Sequence, residues 1–273
     1  MNWQIREFLK EALAEDLGRG DVTSEALIPE DLIATANFLF KEEGVVCGIP
    51  IAQELFALLG VKDFQVFHQD GQLVPPGTIV AQATGSARWL LAGERLALNL
   101  MQHLSGIATR TRRWADLIAP YRAKLTDTRK TTPLLRLLEK YAVRVGGGKN
   151  HRFGLDDAVL IKDNHLALVD IKTAVARARA VIPHTMKIEV EAENPEEVAQ
   201  ALEAGADIIM LDNMPPEQMT KMVELIANRA IVEASGGITD QTLISVAKTG
   251  VDFISVGSLT HSVKAIDISL NFI

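Results

Sequence analysis

From about residue 124 onward, short apolar β runs alternate with helix-like stretches, and few folds accept that order. The β runs fall at residues 124–128, 158–162, 187–191, 207–212, 230–235 and 252–257. Helical spacing marks residues 169–182, 195–204, 216–228 and 239–248 between the later ones. Pro195 and Pro216 suit helix first turns, and Gly205 and Gly250 suit helix ends. Strands alternating with helices imply parallel pairing through right-handed crossovers, hence an α/β barrel or a doubly wound sheet. The polar residues choose between them. Lys162, Glu191, Asp212, Ser235 and Gly257 each close a predicted strand. An open sheet gathers ligand contacts at one switch point, whereas a barrel gathers them from many strand ends. Six such strands are too few for a complete eight-fold barrel, so the expectation is an incomplete, open parallel β/α barrel.

Upstream, residues 2–17 carry an amphipathic helical stripe through Trp3, Phe8, Leu9 and Leu13, stopped by Gly18 and Gly20, with a turn beginning at Asp21. Short β runs follow at 34–41, 45–46, 64–69 and 78–84, interrupted by a helix at 49–59. A long helix covers 88–121, with Gly93 and Gly106 as bends. We therefore expect a smaller N-terminal α+β sandwich domain at 1–110 and the barrel at 111–261, with the tail 262–273 folding back onto the first.

The chain carries 28 Lys and Arg against 35 Asp and Glu, which argues against broad nucleic-acid binding. Against that background, residues 124–162 hold nine basic and four acidic residues, a basic island in an acidic protein. Arg136, Lys140 and Arg144 fit a solvated helix face. Arg129-Lys130, His151-Arg152 and Lys162 flank apolar or Gly-rich backbone instead, and their donors suit a small, heavily anionic ligand. One cysteine, Cys47, excludes an intrachain disulfide framework. There is no signal-peptide core and no apolar run near the ~18 residues of a membrane span, so a cytoplasmic protein without a membrane partner is expected.

Glu191 and Asp212 are hard carboxylates at the ends of neighbouring strands, suited to Mg²⁺ or to ribose hydroxyls. Strand-end acids also cap helices; Asp212 fits that reading, but Glu is a poor N-cap. Ser235-Gly236-Gly237 and Gly257-Ser258 occupy the loops after the last two strands, the usual phosphate site of barrels, with helix N-termini behind them. Gly146-Gly147-Gly148-Lys149 resembles a Walker A loop but fails it, because Asn150 stands where Ser or Thr must contact Mg²⁺. It reads as a flexible connection that positions His151 and Arg152, with His151 able to hold a carboxylate. His103 and His261 read as structural.

The same stretches carry a family resemblance. T-R-K-T-T-P, R-L-L-E-K-Y-A-V-R, G-G-G-x-N-H-R and A-V-L-I-K-D-N-H closely resemble quinolinate phosphoribosyltransferases, and the likeness runs from Glu15 to Ser262. It implies transfer of phosphoribosyl from 5-phosphoribosyl 1-diphosphate to quinolinate, with decarboxylation, in NAD biosynthesis. It also implies Mg²⁺, a homodimer, and site residues by motif. Arg129, His151, Arg152 and Lys162 would hold the quinolinate carboxylates, with Arg95 reaching in from the partner subunit. Lys130, Glu191 and Asp212 would serve the diphosphate, metal and ribose; Ser235, Gly236, Gly237, Gly257 and Ser258 would bind the 5-phosphate. Read by itself, Arg95 is one half of an intrahelical ion pair with Glu94. Leu134 departs from the family pattern, which has Gly after T-T-P, as does Val145, where a Cys precedes the Gly triplet. Three readings compete: a related phosphoribosyltransferase of the molybdenum-uptake-associated group, a non-catalytic anion-binding barrel, and a Schiff-base aldolase using Lys130 or Lys162.

Overall fold

The structure, a computed structural model, describes residues 3–273, so Asn2 of the expected first helix lies outside the described residues. The chain divides into two units. The first comprises Met1–Arg112, Thr132–Gly147 and Ser262–Ile273, and the second Arg113–Thr131 and Gly148–His261.

The elements run α1 (Trp3–Leu17), α2 (Val22–Leu27), β1 (Ile33–Phe40), β2 (Gly44–Val45), α3 (Ile49–Leu58), β3 (Asp63–Val66), β4 (Leu73–Val74), β5 (Thr78–Ser86) and α4 (Ala87–Ile118). After them come β6 (Lys124–Thr126), α5 (Arg136–Val145), β7 (Val159–Ile161), α6 (Asp163–Leu166), α7 (Ile171–Val181), β8 (Ile188–Ala192), α8 (Pro195–Glu203), β9 (Ile208–Asp212), α9 (Pro216–Ile226), β10 (Ile231–Ser235), α10 (Leu243–Ala247), β11 (Phe253–Ser255), α11 (Ser258–His261) and β12 (Ile268–Phe272).

In the first unit, an antiparallel sheet is ordered β12-β1-β5-β3. Its inner face buries Phe38 against Phe56 of α3 and Phe64 of β3, with ring centroids 5.8 to 6.3 Å apart, a spacing at which aromatic pairs add to simple burial. The expected turn at Asp21 is instead the cap of α2: its carboxylate accepts the Thr23 and Ser24 amides, each at 3.1 Å. α4 runs unbroken through Gly93 and Gly106. A Cβ at Gly106 would stand 2.3 Å from the Lys264 carbonyl, and one at Gly93 2.8 Å from Phe56, so both permit close packing.

Residues 132–147, expected in the barrel, group with this first unit through α5. Tyr141 donates to Asp70 Oδ2 at 2.7 Å, and buried Glu139 accepts His103 Nε2 at 2.8 Å and the Thr132 amide at 3.1 Å. Lys140, expected on a solvated face, is buried beside them; a buried charge is tolerable only when paired or hydrogen-bonded.

The second unit is a parallel sheet ordered β6-β11-β10-β9-β8-β7. From β7 to β11 sequence-consecutive strands are neighbours, and the first strand, β6, pairs in parallel with the last, β11. That closing pair curls the sheet into a barrel that is open only between β6 and β7. On that side of β6, Lys149 forms a single parallel bridge to Thr126, so the connection expected to be flexible is anchored here. Among the described residues, no helix is long and apolar enough to cross a membrane.

Candidate active site

Parallel strands all end on one side, so their last residues converge. Lys162 directly follows β7, Glu191 is the penultimate residue of β8, and Asp212 and Ser235 close β9 and β10. With Arg129, Lys130, His151, Arg152, Gly236 and Gly237 they line one cleft of about 590 Å³, within the ~300–1,000 Å³ of small-molecule sites. Thr128, Asp163, Asn164, Asn213 and Ser255 also line it and were not singled out from the sequence.

The cationic wall is assembled by Asp127. This fully buried acid accepts Asn150 Nδ2 and, at 2.9 Å, the His151 amide, while its own amide donates to the Lys149 carbonyl at 3.2 Å. The end of β6 is thereby tied to residues 149–151, which brings Arg129-Lys130 alongside His151-Arg152. The Arg152 guanidinium donates to the Ala158 carbonyl at 2.9 Å. Burial and then the neighbouring Arg129 charge lower the pKa of Arg152, against the pull of Glu189 and Asp157. Two guanidiniums close enough to repel favour an anion between them. The Lys130 carbonyl accepts Thr260 Oγ1 at 2.6 Å, and its side chain crosses Gly257, where a Cβ would stand 2.7 Å from Lys130 Cδ.

On the acidic side, Lys162 Nζ forms a close ion pair with Glu191 Oε2; the Glu191 side chain is 8 % exposed and that of Lys162 44 %. Such a salt contact is the opposite of what a Schiff-base lysine needs, a neutral amine. Asp212 Oδ2 accepts Asn213 Nδ2 at 2.6 Å. At the next loop, Gly236 has φ +88° and a Cβ there would lie 2.1 Å from Asn213 Oδ1, so only glycine fits. The helix expected from Thr239 begins at Leu243, because Thr239 and Thr242 hold each other in a turn: the Thr239 amide donates to Thr242 Oγ1 at 2.9 Å. The loop thus has no helix directly behind it. Gly257 and Ser258 fall outside the cleft lining.

His151 lines the cleft, yet both ring nitrogens face protein. Nδ1 accepts the Arg152 amide at 2.7 Å, and Nε2 faces Glu189 Oε2 at 3.1 Å and Glu233 Oε1 at 3.4 Å. Holding a ligand carboxylate through the ring, as expected from the motif, conflicts with that geometry. Burial opposes charge on the ring, but the two carboxylates outweigh it and push its pKa up to about 10. The amide contact pulls the other way, since it needs Nδ1 unprotonated. A backbone N–H can only donate, so in this geometry Nδ1 is the acceptor and the ring proton lies on Nε2. Glu189 and Glu233 escaped the sequence reading, although strand alternation carried a signal: in I-E-V-E-A and I-V-E-A-S, period two puts Glu189 with Glu191 and Glu233 with Ser235.

Arg95 is exposed on α4 of the first unit; among the described residues no ion pair joins it to Glu94.

Comparison with known proteins gives a consistent picture. Residues 107–271 match the quinolinate phosphoribosyl transferase C-terminal domain, and residues 21–105 match the N-terminal domain. The chain is 46 % identical over 270 residues to a probable nicotinate-nucleotide pyrophosphorylase [carboxylating] of Bacillus subtilis (strain 168), covering 98 % of this chain and 93 % of that protein. It is 41 % identical over 274 residues to a nicotinate-nucleotide pyrophosphorylase [carboxylating] of Mycobacterium leprae, covering 97 % of this chain and 96 % of that one. The solved nicotinate-nucleotide pyrophosphorylase of Francisella tularensis superposes with a TM-score of 0.94 at 42 % identity, covering 100 % of this chain and 97 % of that one.

Proposed function

This chain belongs to the quinolinate phosphoribosyl transferase family, and on that premise we propose that it transfers phosphoribosyl from 5-phosphoribosyl 1-diphosphate to quinolinate. Diphosphate and CO₂ leave, and nicotinate mononucleotide is the product for NAD biosynthesis. The observation that carries the reading is one cleft with a guanidinium and lysine wall facing two carboxylates, at the strand ends of an open barrel.

Arg129 and Arg152 hold the quinolinate carboxylates between their forks, and Lys162 contributes a point charge steadied by Glu191. Lys130 faces the diphosphate, Asp212 the ribose, and the amides of Ser235, Gly236 and Gly237 the 5-phosphate. Catalysis here consists of positioning and electrostatic stabilisation: no side chain forms a covalent bond, and each charge stands ready before the substrates arrive. As C1 of the ribose loses diphosphate it becomes oxocarbenium-like, and the quinolinate nitrogen, held in line by the arginines, attacks it. The carboxyl next to that nitrogen then leaves as CO₂; its bonding pair stays on the ring carbon beside the now positively charged nitrogen, and a proton from water restores the C–H bond.

Glu191 and Asp212 fit Mg²⁺, a hard cation that takes one or two carboxylates together with phosphate oxygens and water. The Lys162 pairing of Glu191 makes Asp212 the more available ligand of the two. When bound, Mg²⁺ neutralises the departing diphosphate. The proposal includes a cytoplasmic homodimer in which Arg95 of the partner subunit completes the site; its exposure and lack of an ion pair to Glu94, among the described residues, support that role.

The test is direct. Purified protein with quinolinate, 5-phosphoribosyl 1-diphosphate and Mg²⁺ should yield nicotinate mononucleotide and CO₂ only when all three are present; no product from folded protein overturns the reading. Mixing Arg95→Ala with Lys162→Ala protein should restore part of the activity that each lacks. No recovery after demonstrated subunit exchange rejects the shared site.

A further inference from the structure

We infer that Glu189 and Glu233 are positioning residues for the anion cleft, locking the His151 ring, which in turn locks Arg152. The inference rests on the functional reading above and deepens it.

Neither acid lines the cleft. Both sit mid-strand in the barrel, on β8 and β10 either side of β9, with side chains only 4 % and 6 % exposed. Apolar residues would fill such positions at lower free-energy cost, so two buried carboxylates here require a reason beyond packing. Both acids meet one atom, His151 Nε2, Glu189 through Oε2 at 3.1 Å and Glu233 through Oε1 at 3.4 Å, an ion-pair contact rather than a hydrogen bond, while Glu189 Oε1 is left without a hydrogen-bond partner in the protein.

Those three side chains also have the spacing of a metal site. The far side of the ring argues against one. A metal-bound histidine donates its other ring N–H, whereas Nδ1 here accepts the Arg152 amide at 2.7 Å. The ring proton therefore sits on Nε2, where the metal would have to bind, and points at the two carboxylates.

A chain of directional contacts results. The acids fix the ring plane through Nε2–H, and the buried Asp127 fixes the His151 main chain by accepting its amide at 2.9 Å. Through Nδ1 the ring receives the Arg152 amide, and the Arg152 guanidinium is held to the Ala158 carbonyl at 2.9 Å. Arg152 then stands near Arg129 with its fork oriented. If the ring tilts, the Arg152 main chain moves with it, and a bidentate contact tolerates little movement.

The decisive experiment is a double-mutant cycle on the full-length protein, using Glu189→Ala, Glu233→Ala, their Gln counterparts and Arg152→Ala. The Ala variants should raise the quinolinate KM by roughly 10- to 100-fold, as loss of an orienting partner does elsewhere. The KM for 5-phosphoribosyl 1-diphosphate should stay within about twofold of wild type. Gln keeps an acceptor for Nε2–H and should restore most of the loss. In an Arg152→Ala background, removing either acid should add little, because the effect runs through Arg152. Normal quinolinate KM in active, folded Ala variants overturns the inference, and so does full additivity with Arg152→Ala. Stoichiometric Zn²⁺ uptake by wild type that is lost in Glu233→Ala establishes a metal site in place of a positioning one. A wild type that neither turns over nor binds quinolinate in calorimetry fails the functional reading, and this inference falls with it.

Discussion

The Ser235-Gly236-Gly237 loop offers a sharp comparison because its two glycines are strained for different reasons. Gly236 has φ +88° and Gly237 φ +60°. Alanine at either position must adopt a left-handed backbone, at about 1–2 kcal/mol. At Gly237 nothing lies within 4 Å of the added Cβ, so that is the whole cost. At Gly236 the Cβ would meet Asn213 Oδ1 at 2.1 Å and the Asn213 amide nitrogen at 2.9 Å. The side chain can swing away only by giving up its 2.6 Å bond to Asp212, a net loss of about 1 kcal/mol, and the backbone contact remains. Gly236→Ala should thus cost roughly 2–4 kcal/mol against about 1–2 for Gly237→Ala. Thermal unfolding by circular dichroism should separate the two by at least about 2 °C, given roughly 2–4 °C per kcal/mol at this size. Gly236→Ala should also raise the KM for 5-phosphoribosyl 1-diphosphate more, since it displaces Asn213 from Asp212. Equal melting points and equal KM values would refute the idea that Asn213 packing makes Gly236 obligatory.

Arg152→Lys keeps the charge but loses the planar fork, so the quinolinate KM should rise about tenfold, near 1.4 kcal/mol; an unchanged KM would show that a point charge suffices. Asp70 is pushed up in pKa by burial, against the lowering effect of hydrogen bonds from Gly48, Tyr141 and Ile49. The folded state therefore binds its proton more tightly than the unfolded chain. Its contribution is greatest below the unfolded pKa of about 4 and declines as pH rises through the folded value. Asp70→Asn should flatten that part of the stability–pH curve, and an unaltered slope in urea titrations would place the effect elsewhere. Leu134 holds φ +68° while 86 % exposed, so Leu134→Gly relieves left-handed strain without losing burial and should stabilise the protein by up to about 1 kcal/mol; a lower melting point would contradict this.

Leu134 also shows how a departure from a family pattern translates into physics: the glycine expected after T-T-P is the residue that a positive φ favours. Elsewhere, what was legible followed chain periodicity. All six parallel strands stand where apolar runs bounded by turn residues predicted them, since strand and helix spacing depend on neighbours in sequence. Lys162, Glu191, Asp212 and Ser235 were legible as one set because parallel strands must all end on the same side. The helix of residues 239–248 was misjudged in its first turn, where threonine hydroxyls compete for the backbone.

Local pattern and polar strand ends, then, determined by themselves that this chain makes an open parallel barrel whose polar strand ends gather at one cleft. The tertiary structure alone decided that α5 groups with the first unit, that Lys140 is buried, and that His151 turns both nitrogens inward. Each of these depends on partners far along the chain, such as Asp70 for Tyr141 and Glu233 for His151, and hydrophobic periodicity carries no record of which distant residue meets which.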